Sequence, residues 1–175
     1  TINGTVDQGG ELDFATISGG VITGGLNEGD FVTITGGQIG SINMTLANNI
    51  MTMSGGTVVG NVLAAQNNDT LNLSGGVIGG FVNFGNGNNV FNISGGSVGG
   101  ALIAGNGTGT VSWNGGGVLS SGFQLGGGND TATFTNLTAA NLVPTAVIDG
   151  GTGTDRLTWV NTSATGVARF VNWER

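Results

Sequence analysis

Apolar and polar residues alternate in short runs along this chain, and the runs recur. In Thr70-Leu71-Asn72-Leu73 and again in Val82-Asn83-Phe84 every second residue is apolar, which predicts half-buried strands, with Val77-Ile78 a shorter one between them. Glycine-rich corners separate the three, because glycine takes the positive φ of a sharp bend. This block repeats. Six S/T/N-G-G triplets begin at Ser18, Thr35, Ser54, Ser74, Ser94 and Asn114, spaced 17, 19, 20, 20 and 20 residues apart. A period near 20 with three short strands and three corners predicts a three-sided parallel β-helix, a solenoid whose coils must stack to bury their apolar faces.

Aligning the coils on the triplets tests the prediction column by column. One position before the reference residue stand Ile17, Ile34, Met53, Leu73, Ile93 and Trp113; two further back stand Ala15, Val32, Met51, Leu71, Phe91 and Val111. Ala132/Phe134 and Leu157/Trp159 continue both columns, giving about eight coils of an all-β fold. Between these inward columns runs an outward one: Thr16, Thr33, Thr52, Asn72, Asn92, Ser112, Thr133 and Thr158. A slip of one residue would turn every coil inside out, so the agreement fixes the register. Ile22, Ile39, Val58, Ile78, Val98 and Val118 are expected to face inward on the second side. Ile42/Met44, Val62/Ala64, Val82/Phe84, Leu102/Ala104 and Phe123/Leu125 are expected to do so on the third. At ~4.8 Å per coil the rod is roughly 38 Å long.

The organisation is one domain in two parts: regular coils over 1–135, then expanded last coils and a covering segment over 136–175. The stretch from Asn136 to Asp149 is longer than its counterparts and holds the only proline, Pro144, which is expected in a loop or at an edge. Val167 to Trp173 carries bulky apolar residues suited to covering the end of the stack. The chain starts in mid-pattern and stops at Arg175, which reads as a segment of a longer protein.

Composition narrows the function classes. The net charge is −7, with three arginines, no lysine, no histidine and no cysteine. That balance disfavours nucleic acid and anionic membrane surfaces, both of which need basic patches. No apolar run approaches the ~18 residues of a membrane span, so this segment is not expected to insert in a bilayer. Without His or Cys no Ser-His-Asp or Cys-His arrangement can form, and no disulfide framework is available.

The remaining candidates are carboxylates and surfaces. Asp13, Asp30, Asn49, Asp69, Asn89 and Asp130 align five positions before the reference residue. One residue per coil at one corner reads as a turn column, in which Asp and Asn hydrogen-bond the local backbone and tolerate left-handed geometry. A polysaccharide-cleaving carboxylate pair is the competing reading of the same column. Gly150-Gly151-Thr152-Gly153-Thr154-Asp155-Arg156-Leu157-Thr158 fits a calcium-binding nonapeptide, but as a single copy it lacks the stacked neighbour such a site needs, so no metal or other cofactor is assigned. The outward Thr/Ser/Asn column makes a flat polar face suited to self-association, with Thr33, Thr52, Asn72 and Asn92 as its candidate partner-binding residues. Asn72 and Asn92 interrupt the threonine array that ice binding would use. Next to the corner, Phe14, Phe31, Ile50 and Val90 either tuck inward or form an apolar stripe for a partner; tucking is the expected arrangement, and Phe14 and Phe31 are the stripe's candidate contacts. Asn-x-Ser/Thr sequons follow from an Asn- and Thr-rich composition, and no glycan is read from them.

The Gly/Asn/Thr-rich coils, with Asp149-Gly150-Gly151-Thr152-Gly153-Thr154-Asp155-Arg156-Leu157-Thr158 and Phe170-Val171-Asn172-Trp173-Glu174-Arg175 at the end, resemble the C-terminal part of autotransporter passenger domains. These are bacterial β-helices exported by the type V route. The resemblance implies a right-handed parallel β-helix that is secreted or displayed on the bacterial cell surface. It also implies attachment in the parent protein to an outer-membrane β-barrel, and roles in adhesion, aggregation or virulence. The function it implies here is that of a non-enzymatic rigid stalk with an adhesive or self-associating surface, taking another copy or a host-surface ligand as partner. A polysaccharide-degrading β-helix enzyme is the alternative.

Overall fold

The computed structural model describes residues 1–44, 47–163 and 169–174. The described residues contain strands and turns but no helix. β1 (Val6–Asp7) precedes two long bent strands, β2 (Phe14–Asn27) and β3 (Phe31–Met44), each running round all three sides of a coil. β4 (Ile50–Val58) covers the first two sides and β5 (Val62–Ala64) the third; β6 (Thr70–Ile78) and β7 (Val82–Asn83) repeat that division. From there each side is its own strand: β8 (Val90–Ile93), β9 (Ser97–Val98) and β10 (Leu102–Ile103), then β11 (Thr110–Asn114), β12 (Val118–Leu119) and β13 (Gly122–Gln124). β14 (Thr131–Thr135) and β15 (Val147–Asp149) flank the expanded stretch, and β16 (Arg156–Val160) and β17 (Arg169–Val171) end the stack.

Every strand pairs in parallel with its equivalent one coil away, so the molecule is a parallel β-solenoid of about eight coils. On the first side Leu71 lies over Met51 and under Phe91, Asn72 between Thr52 and Asn92, and Leu73 between Met53 and Ile93. Leu71, Leu73 and Trp113 are buried as the alternation requires. Parallel stacking places like on like, so the core is a set of columns, and neighbouring columns meet at the corners: Phe84 of the third side stacks on Phe91 of the first at 5.1 Å. The two ends are less covered. Ala15 and Ile17 are half-buried at one, and Trp159 is 40% exposed at the other, because each lacks a coil on its outer side among the described residues.

The second-side column differs from the sequence reading in one coil. Leu119, not Val118, pairs with Val98 and is fully buried, while Val118 pairs with Ser97 and is half-buried. The cause is a third glycine. In earlier coils the second glycine of the triplet carries the bend, with φ of 79° at Gly56 and 84° at Gly76. In the sixth coil that place falls to Gly117, with φ of 75°, and Gly116 takes the close-approach position, where a Cβ would lie 2.1 Å from the Ser94 carbonyl oxygen. Gly115 is the inserted residue, and from there on the pairing partner in the coil before is displaced by one, as in Val118 on Ser97 and Phe123 on Leu102.

The expanded stretch folds back on the stack through Leu137, Leu142 and Ala146, all buried, and leaves Pro144 exposed in a turn. In the covering segment, Val167 and Ala168 lie outside the described residues. Phe170 and Trp173 do pack on the core: the Trp173 ring meets Phe123 edge-on at 6.3 Å, and its indole N–H donates to the Ile148 carbonyl at 2.9 Å.

Candidate functional site

Two features run the length of the rod, a polar lateral face and a buried corner ladder. On the face, the alternation of the first-side strands holds Thr33, Thr52, Asn72 and Asn92 in vertical register. All four are half-buried rather than open to solvent, since each is flanked by its copies above and below. Asn92 Nδ2 donates to Asn72 Oδ1 at 2.9 Å, and Asn72 Nδ2 reaches Thr52 Oγ1 at 3.5 Å, a weak contact. Beside them Ser74, Ser94, Ser112 and Asn114 edge a shallow groove of about 270 Å³. The face offers hydroxyls and amides at strand spacing and no charged group within the groove.

The stripe beside the corner does not tuck in at its first members. Phe14 is 69% exposed and Ile50 37% exposed; Phe31 is half-buried and stacks on Phe14 at 4.8 Å. The inward place at the corner is already taken by the neighbouring Asp/Asn column, so the ring has nowhere to go but outward. Farther along, Thr70, Val90 and Thr110 hold the equivalent positions, and the aromatic stripe ends.

The corner column is a buried ladder between coils, not a set of local turn bonds. Asn49, Asp69, Asn89 and Asp130 are fully buried, Asp155 nearly so and Asp30 largely so. At Asp30, Asp69, Asn89, Asp130 and Asp155 the side chain accepts the backbone N–H of the same position one coil earlier, whereas Asn49 Oδ1 is buried without a partner and Asn49 Nδ2 donates to Asp69 Oδ1 at 2.9 Å. Asn49 N–H donates to Asp69 Oδ1 at 2.8 Å, Asp69 N–H to Asn89 Oδ1 at 3.0 Å, Gly109 N–H to Asp130 Oδ1 at 2.6 Å, and Asp130 N–H to Asp155 Oδ1 at 2.8 Å. Asp13 N–H donates in the same way to Asp30 Oδ2 at 2.9 Å. Gly109 has no side chain to continue the column in the sixth coil. The left-handed residues of this chain lie elsewhere, at Asn67, Asn136, Asn161 and Asn172 among others.

Two sets of partners escaped the sequence reading. Glu174 closes the ladder at the last coil, its carboxylate accepting the Asp155 N–H while its own N–H donates to the Asp155 carbonyl at 3.0 Å. One residue before the corner, an exposed ladder runs the opposite way: Asn68 N–H donates to Asn48 Oδ1 at 2.9 Å and Asn88 N–H to Asn68 Oδ1 at 2.7 Å. The doublets Asn48-Asn49, Asn68-Asp69 and Asn88-Asn89 were the signal for it. Each corner is thus tied to the coil on either side.

Burial sets the electrostatics. The Asp69 carboxyl is pushed up to about 6 by loss of solvent, against the lowering effect of the bonds from Asn49. Asp130 is pushed up to about 6 for the same reason, opposed by the Gly109 N–H and reinforced by the charge of Asp155. Among the described residues no group of three or more His, Cys, Asp or Glu is arranged to hold a metal ion, and no helix is long and apolar enough to cross a membrane. No family model matches the chain, and no curated protein and no solved structure matches it either.

Proposed function

We propose that this chain is a non-enzymatic rod segment of a secreted or surface-displayed autotransporter passenger, with its polar face serving for self-association or adhesion. The carrying observation is how the corner carboxylates are engaged. Asp30, Asp130 and Asp155 each bond a backbone N–H of the adjacent coil, inside the rod and in single file. A glycosidase needs two carboxyls facing each other across an open groove about 5–10 Å apart, and one column along a buried corner does not supply that arrangement. Support for the passenger assignment is the resemblance of residues 149–158 and 170–175; Asp155 of the first and Glu174 of the second form the closing rung of the ladder.

The polar face suits a second rod. Hydroxyls and amides at a repeat of one strand spacing can interlock with an identical array, and every added coil adds contacts without any single strong one. Sedimentation velocity of the purified chain over a concentration series tests this. Self-association that is lost in Asn72→Arg/Asn92→Arg is expected. A monomer at all concentrations, together with release of reducing ends or unsaturated products from acidic polysaccharides, would overturn the reading in favour of an enzyme.

A further inference from the structure

Asparagine and aspartate are not equivalent in the buried ladder, and the difference sits on one atom. In Asn89, as in Asp69 and Asp130, one side-chain oxygen accepts from the coil before, while Asn49 Oδ1 has no partner. The second atom of Asn49 is an NH2 group that donates to the Met44 and Ala47 carbonyls at 2.9 and 3.0 Å, and that of Asn89 donates to the Gly85 carbonyl at 2.9 Å. In Asp69 and Asp130 the corresponding atom is Oδ2, buried and with no hydrogen-bond partner. An ionised carboxylate can only accept, so at this position it has nothing to offer a neighbouring carbonyl. A protonated one carries an O–H where the asparagines carry N–H.

We propose that Asp69 and Asp130 are proton-linked rungs, which act as asparagine mimics when protonated, so that the rod gains stability as the medium turns mildly acidic. Among the described residues no counter-charge pairs with either carboxyl. Asp69 is faced by Asn49 on the coil before and Asn89 on the coil after. Asp130 is faced by Gly109 before and Asp155 after, with Glu174 beyond that. Arg156, beside Asp155 in sequence, is exposed. The other arginines are Arg169, also exposed, and Arg175. The upward displacement of both carboxyls agrees with this geometry. The sign follows from linkage. A carboxyl whose folded value lies above its unfolded one binds more protons in the folded state, so stability rises as pH falls from above the folded value toward the unfolded one. The window runs from about 6 down to the ordinary aspartate value of 3.8.

The test is thermal unfolding of the chain between about pH 7.5 and about pH 5, wild type against Asp69→Asn/Asp130→Asn. Asparagine is the conservative choice, since the ladder already uses it at Asn49 and Asn89. The wild-type midpoint is expected to rise on acidification by on the order of 5–10 °C, and the double variant to lose most of that rise. A wild type that loses stability over the same range, or a double variant with an unchanged pH slope, overturns the proposal. Should the double variant not fold, the carboxyl carbon shifts of the wild type read the same property. Midpoints near 6 at Asp69 and Asp130 are expected, and ordinary values near about 4 would overturn it.

Discussion

Leu73 and Asn72 are adjacent in sequence and opposite in consequence. Leu73 is fully enclosed between Met53 and Ile93, so Leu73→Ala leaves a cavity bounded by paired strands that cannot collapse, and a loss of ~2–5 kcal/mol in denaturant unfolding is expected. Asn72 lies on the outer face in a weak ladder, and Asn72→Ala is expected to cost under ~1 kcal/mol. The corner makes the same contrast between two polar residues. Asn89→Ala strands the Asp69 N–H and the Gly85 carbonyl in the interior, for an expected loss of ~2–3 kcal/mol. Asn68→Ala removes a bond that water can replace and is expected to cost less than ~1 kcal/mol in the same assay. The alternation made Leu73 and Asn72 legible from sequence alone. The corner was legible as a column but not as a ladder: Asp and Asn also serve in local turns, and only the burial of Asp69 and its neighbours separates the two roles.

At the level of the element, the glycine corners decide how closely coils can approach. Gly87 has φ of 129°, and a Cβ there would lie 1.6 Å from the Asn67 carbonyl oxygen, inside the coil beneath. Gly87→Ala is therefore expected to lift its corner off the preceding coil and cost more than ~2 kcal/mol, read as a fall in melting temperature. Gly19 has open space around its Cβ position and no positive φ; Gly19→Ala is expected to change the melting temperature by no more than about 1–2 °C. Glycine spacing gave the coil length, but not which of three consecutive glycines makes the bend. Gly115, Gly116 and Gly117 are chemically identical, and only stacking on Ser94 and Gly95 assigns their places. That ambiguity displaced Val118 in favour of Leu119. Phe14 is a different kind of discrepancy: an apolar residue beside a corner was expected inside, but the space was taken by the polar ladder.

Over the whole molecule, stability is a sum of neighbour contacts rather than of one central core, so damage should spread by coils. The ends are the weak points. Ala15 and Ile17 at one end and Leu157 at the other are only half-buried, whereas the same columns are closed in the middle coils. The last coil has its own reinforcement in Trp173 and Glu174, which tie the end of the chain to Ile148 and Asp155. Trp173→Ala is expected to raise the protease sensitivity of β16 and β17 while leaving the middle coils protected, as limited proteolysis followed by mass mapping can show.

Residue-resolved amide hydrogen exchange tests the central claim most directly, because the ladder consists of amides whose acceptors are named. If the buried corner column is the tie between coils, the N–H groups of Asn49, Asp69 and Asp130 are among the slowest in the chain, with protection falling toward both ends. If those amides exchange as fast as the exposed Asn68 and Asn88 while the core strands stay protected, the corner is a loose surface turn. The structural role assigned to its carboxylates is then wrong.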